Sequence, residues 1–286
     1  MSAEAFSPPS FGRAVVRVFD LSLGEMLWSR RTLFMAVVAG GPVLIAVALR
    51  LAASSAAARF TGSAGGPSFA LGGPDIFGLM IWAFYLRFTV PVLGVFYGTS
   101  LIADEVEDKT ITYLFTRPIP RGAVLVGKYL AYLACTSVVI LPSVVIVYFS
   151  VVPLFGGSIG AGFPSLVADL GLIGLGLAVY GAAFAFVGAR LRRPLLSGLL
   201  FIFGWEPVVV VVPGYMKNLT VAYYLQGLVP HAAPQDEAMT LLRSALRTFE
   251  PAPAAWICVL ALAAIWVVTL GAAVRAVERR EYVLER

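Results

Sequence analysis

Long apolar runs separated by short polar clusters dominate the chain, and their length sets the first expectation. A membrane-crossing helix needs roughly 20 mostly apolar residues, and six stretches qualify: 32–51, 76–103, 124–152, 166–189, 195–212 and 254–274. The second and third exceed what a bilayer requires, which predicts tilt or projection beyond it. Ahead of the first run, residues 11–29 are amphipathic: Phe11, Val15, Val18, Leu21 and Trp28 recur at helical spacings, while Arg13, Arg17, Asp20 and Glu25 occupy much of the remainder. That pattern predicts an interfacial helix leading into the first span. Residues 52–75 are rich in Ala, Ser, Gly and Pro and predict an irregular connection, and residues 153–165 carry no charge. The longest connection is 213–253, where Leu241, Leu242, Ala245, Leu246 and Phe249 share one helical face behind Asp236 and Glu237. This predicts an amphipathic helix at the outer membrane surface or over the end of the bundle.

Composition agrees and removes the competing classes. Of 286 residues, 59% are hydrophobic and 13% charged, and the mean hydropathy is +0.88. A soluble globule cannot hide that much hydrocarbon. The expected fold is therefore all-α: one polytopic transmembrane domain of six helices.

Charge then orients it. Arg13, Arg17, Arg30 and Arg31, the loop cations Lys109, Arg117, Arg121 and Lys128, the cluster Arg190, Arg192 and Arg193, and the terminal Arg275, Arg279, Arg280 and Arg286 put fifteen basic residues on one side. The other side holds five: Arg50, Arg59, Lys217, Arg243 and Arg247. The positive-inside rule places both termini in the cytoplasm. The net charge of +5 is thus a matter of topology and implies no nucleic-acid partner. No signal-peptide pattern precedes the first run.

The chemistry-bearing residues are sparse. His231 is the single histidine, which removes histidine-based metal clusters and metalloprotease helices. Cys135 and Cys258 lie within apolar runs, far apart in sequence. Gly122 to Tyr129 approaches a phosphate-loop pattern, but a prolyl turn precedes it and Tyr129 stands where a hydroxyl for magnesium is needed. No catalytic, cofactor or metal residue is expected. Asn218-Leu219-Thr220 matches a glycosylation sequon, which chance accounts for.

The informative segment is 104–123, between the second and third spans. An acidic run ends the second span, Thr110 can cap a short helix 111–116 with Ile111, Leu114 and Phe115 on one face, and Pro118 and Pro120 turn the chain back. A small helix, apolar on one side and edged by charge, has the shape of a docking knob. The alternative is a loop cap lying against the lipid surface.

At these residues the chain resembles the permease subunits of ABC-2 type ATP-binding-cassette exporters. Glu105, Glu107, Thr110, Leu114, Phe115, Arg117, Pro118, Gly127 and Lys128 match that pattern in order, with Lys109 in place of the usual Gly and Thr112 in place of a common acidic residue. The resemblance implies a dimer of permeases, driven by two separate ATPase subunits that bind the ATP and magnesium. It implies that Glu105, Glu107, Thr110, Ile111, Leu114, Phe115, Arg117 and Pro118 form the element coupled to the ATPase.

Two ionisable residues fall inside predicted spans. Arg87 lies 11 residues from the outer end of its run and Glu206 11 residues from the cytoplasmic end of its own, or ~16 Å deep at 1.5 Å per residue. Intramembrane charge is costly and marks candidate function. Equal depth and opposite sign suggest a pair, read either as a buried ion pair fixing the bundle or as polar groups lining the translocation path. In the family resembled, the second and fifth spans tend to line the central path. Asp169, a few residues into the fourth span, is expected to be solvated at the interface. Gly171, Gly174, Gly181, Ala185 and Gly188 give that span a small-residue packing face. Pro91, Pro142 and Pro207 are expected to kink their helices.

The expected function is the permease subunit of an ATP-driven exporter in the cytoplasmic membrane, with a second permease copy, ATPase subunits and lipid as partners. The alternatives are an ATP-independent secondary transporter using Arg87 and Glu206, and a non-transporting membrane anchor.

Overall fold

The computed structural model describes residues 10–60, 72–107, 120–154, 157–211, 215–229 and 253–279. Helix α1 is Phe11–Leu27 and α2 is Arg30–Phe60. Residues 73–107 form a continuous helical rod, α3, that mixes α- and π-helical turns. Helix α4 is Arg121–Val151 and α5 is Ile159–Arg190. Residues 194–211 form α6, again with a π-helical insert, α7 is Val221–Gly227 and α8 is Ala255–Arg279. There is no strand among the described residues.

Five of these helices, α2, α3, α4, α5 and α8, are long and apolar enough to cross a membrane. The apolar part of α6, Pro194–Val209, is shorter. The chain is an all-α polytopic membrane protein.

Several boundaries differ from expectation. Helix α2 continues to Phe60 through sequence read as an irregular connection. Helix α5 starts at Ile159, before the expected 166, because the Ser158 hydroxyl accepts the Ala161 N–H at 3.2 Å and caps it. The stretch Tyr215–Leu219 is a 3-10 turn that leads into α7. Neither element was anticipated. The amphipathic helix expected beyond Pro234 lies outside the described residues.

Helix α1 packs one side on α4. Val15 and Val18 are buried against α4, where a Cβ on Gly127 would lie 2.8 Å from that of Val18. Phe11, Leu21 and Trp28, on the apolar side that the sequence assigns to the membrane surface, are exposed, Trp28 at 93%. The i, i+3/i+4 spacing covers a wide arc of the helix, and only its centre meets α4.

The core is held by tyrosines. Tyr85, Tyr97, Tyr129, Tyr132, Tyr148 and Tyr180 are fully buried, and a phenol inside hydrocarbon needs a hydrogen-bond partner. Tyr129 donates to the Ala178 carbonyl at 2.7 Å, and Tyr132 to the Leu177 carbonyl at 3.0 Å, fixing α4 on α5. Trp266 of α8 donates its indole N–H to the Tyr129 oxygen at 2.7 Å, so one hydroxyl joins three helices. Tyr85 and Ser143 share a hydrogen bond of 3.0 Å between α3 and α4.

Glycines admit this packing. A Cβ on Gly181 would lie 2.2 Å from Tyr132 Cε1, and one on Gly188 would lie 2.4 Å from the Thr99 carbonyl oxygen. Gly171 and Gly174, expected on the same packing face, have nothing within 4 Å, whereas Gly176 meets Val90. The small-residue face is therefore split: its C-terminal half packs on α3 and α4, and its N-terminal half is open.

Candidate functional site: a polar cavity between α3, α5, α6 and α7

Proline and π-turns shape this region. Pro91 lacks the N–H that would bond the Arg87 carbonyl, and its ring crowds that carbonyl; residues Ile81–Thr89 are π-helical. Pro207 stands in the same relation to Phe203, within the π-helical Phe201–Trp205. Pro142 lies inside the continuous α-helix α4 without such a turn, so proline alone does not set it. A π-turn inserts a residue and re-phases the faces beyond it. Here that places Arg87 and Glu206 on the walls of one cavity of about 30 Å³, room for a water or two.

Glu206 is 4% exposed. Its Oε1 accepts from the Tyr180 hydroxyl at 2.7 Å and from the Ala222 N–H at 3.0 Å. Ala222 belongs to the first turn of α7, whose N-terminal N–H groups lack intrahelical partners. Thr220, the residue before that helix, makes no side-chain cap; its hydroxyl donates to the Lys217 carbonyl at 2.8 Å. A carboxyl from α6 supplies the missing acceptor. One side chain thus ties α5, α6 and α7 together.

Arg87 sits differently. Among the described residues no hydrogen bond or ion pair joins it to Glu206. Its guanidinium lies 5.4 Å from the Trp82 ring centroid, close enough to Glu206 for the charges to interact. The arginine is exposed on the outside of the bundle. Next to it, Phe88 and Phe203 place their ring centroids 6.3 Å apart on the same exposed α3–α6 face.

Asp169, expected to be solvated, is fully buried. Helix α5 begins seven residues before the sequence boundary, so Asp169 sits deeper in the helix than its count from 166 suggested. Of the expected coupling residues, Thr110, Ile111, Leu114, Phe115, Arg117 and Pro118 lie outside the described residues. Glu105 and Glu107 are in the last turns of α3.

Tyr180 and Ala222 were missed. A signal for Tyr180 existed: it is the single tyrosine of α5, ten residues from the Arg190 end, at nearly the depth of Glu206. A buried phenol beside a buried carboxyl of equal depth is a ready pair. Ala222 had no signal, because a backbone amide is invisible in side-chain chemistry.

The fold is that of a polytopic helical membrane protein, with a cavity lined by Arg87, Tyr180 and Glu206 between its helices. Comparison with family models matches residues 45–282 to the ABC-2 family transporter protein model, and the chain belongs to that family. Comparison with curated proteins gave no match. The chain is a membrane permease component of an ABC transporter, a multi-pass protein of a kind that associates with an ABC ATPase subunit. Permeases of this family are transport subunits and generally non-catalytic.

Proposed function

We propose that this permease is the membrane half of an ATP-driven exporter in the cytoplasmic membrane, working as a homodimer with two ATPase subunits and with both termini in the cytoplasm. The ATP and magnesium belong to those partners. Residues 104–123, carrying Glu105, Glu107, Thr110, Ile111, Leu114, Phe115, Arg117 and Pro118, form the coupling element. ATP-induced closure of the ATPases pushes it, and α3 and α6 swing across the dimer axis.

The observation that supports this most is the placement of Arg87. It sits near the middle of α3 and is exposed, and a guanidinium facing lipid there is costly. A second permease copy with an aqueous path between the two removes that cost. The buried Glu206, held by Tyr180 and Ala222, stiffens the wall behind it.

Cysteine accessibility tests this. In a Cys135→Ala, Cys258→Ala background, Arg87→Cys in intact membranes should react with a membrane-impermeant maleimide, at a rate that changes when ATP is trapped on the partner. Val138→Cys, also exposed and in the middle of the apolar helix α4, should not react. Equal inertness at both positions would mean that Arg87 faces lipid, and the path would not run there.

A further inference from the structure

A second cavity, of about 770 Å³, opens between the C-terminal halves of α5 and α8. Its walls change character along the helices. Phe186, Val267 and Gly271 line the deeper part, while Arg190, Arg275 and Arg279 line the end. On α8 the stripe runs from Val267 to Arg279, 12 residues, or roughly 18 Å. Half of a ~30 Å hydrocarbon core is comparable. The groove is thus one leaflet deep, apolar inside and cationic at the membrane surface.

The three arginines are exposed, and among the described residues no guanidinium of the three is engaged in an ion pair or hydrogen bond. The nearby acid, Glu278, points elsewhere: its Oε1 would lie 2.8 Å from a Cβ on Gly122 of α4. Three uncompensated positive charges at the rim of an apolar groove complement an amphiphile with an anionic head. The basic-residue distribution puts this end in the cytoplasm, where the leaflet carries anionic lipid.

We propose that the α5–α8 groove binds an anionic phospholipid, its phosphate held by Arg190, Arg275 and Arg279 and one acyl chain lying over Gly271. Such a lipid bridges the ends of α5 and α8 that carry Arg190, Arg275 and Arg279 and braces that pair of helices. Gly271 is suited to the contact, with nothing within 4 Å of its Cβ position.

The test is titration of the purified permease in neutral detergent with phosphatidylglycerol or phosphatidylcholine, reading bound lipid by native mass spectrometry. Phosphatidylglycerol should be retained selectively and resist millimolar inorganic phosphate. Replacing Arg190, Arg275 and Arg279 by Ala should weaken retention roughly a hundredfold, the loss expected for three basic side chains at a membrane surface. Arg13→Ala with Arg17→Ala should leave it unchanged. Gly271→Leu, which keeps every charge and fills the groove, should weaken it by at least ~tenfold, since several buried methylenes are lost. Equal binding of the two lipids would overturn the proposal, as would full displacement by phosphate or wild-type retention in Gly271→Leu. A triple variant that loses permease–permease association instead of lipid would overturn it too, assigning the groove to a second copy.

Discussion

The Tyr180 hydroxyl donates to Glu206 Oε1 at 2.7 Å, and this bond joins α5 to the segment of α6 where the helix widens before Pro207. It makes Glu206 a fastening for the upper bundle whatever it does in transport. The two roles separate by substitution.

Glu206→Gln keeps an acceptor for both Tyr180 and Ala222 and removes the charge. Thermal unfolding in detergent should stay near wild type. Glu206→Ala strands the phenol and the α7 amide, each costing about 1–3 kcal/mol when left without a partner, and should lower the midpoint clearly. Equal loss in both variants would mean that charge, not acceptance, holds the site.

Trp266, Tyr129 and the Ala178 carbonyl form a chain across three helices. Trp266→Phe and Tyr129→Phe should therefore be non-additive, with a coupling of about 0.5–3 kcal/mol in a double-mutant cycle of unfolding free energies. Additive effects would show that the bridge does not form.

The glycines of α5 divide by neighbour. Gly181→Ala drives a methyl into the Tyr132 ring and should cost about 1–3 kcal/mol. Gly171→Ala meets nothing within the chain and should be neutral or gain up to about 1 kcal/mol from helix propensity. Unfolding midpoints of the two proteins decide it.

Gly127 lets α1 lie against α4. Gly127→Leu should lift α1 from the bundle, making residues 11–29 sensitive to limited proteolysis while the transmembrane core resists. Unchanged protection would place the anchoring of α1 elsewhere.

Hydropathy carried the helices of the fold, because a bilayer demands long apolar runs and the chain contains little else. Counting residues from the run ends suggested a pair, and Arg87 and Glu206 line one cavity without a hydrogen bond or ion pair between them. Azimuth was not legible. The π-turns at 81–89 and 201–205 re-phase their helices, and nothing in a periodicity count reveals that. Local boundaries failed where side chains gave no warning. The glycine- and proline-containing stretch before 166 reads as loop until Ser158 is seen to cap it, and α7 is held by a carboxyl from another helix. The open half of the α5 glycine face shows that small residues signal close packing only where a neighbour arrives.

The central claim is that an ATPase partner drives this permease through residues 104–123. The direct measurement is affinity purification in mild detergent, with co-eluting subunits identified and ATP hydrolysis assayed, for wild type and for Leu114→Asp combined with Phe115→Asp. The account predicts a stoichiometric ATPase on the wild-type protein and its loss from the variant, while both permeases stay folded and oligomeric. A variant that retains the ATPase in normal amount would contradict the docking assignment, and a wild-type homo-oligomer that binds no ATPase would contradict the mechanism.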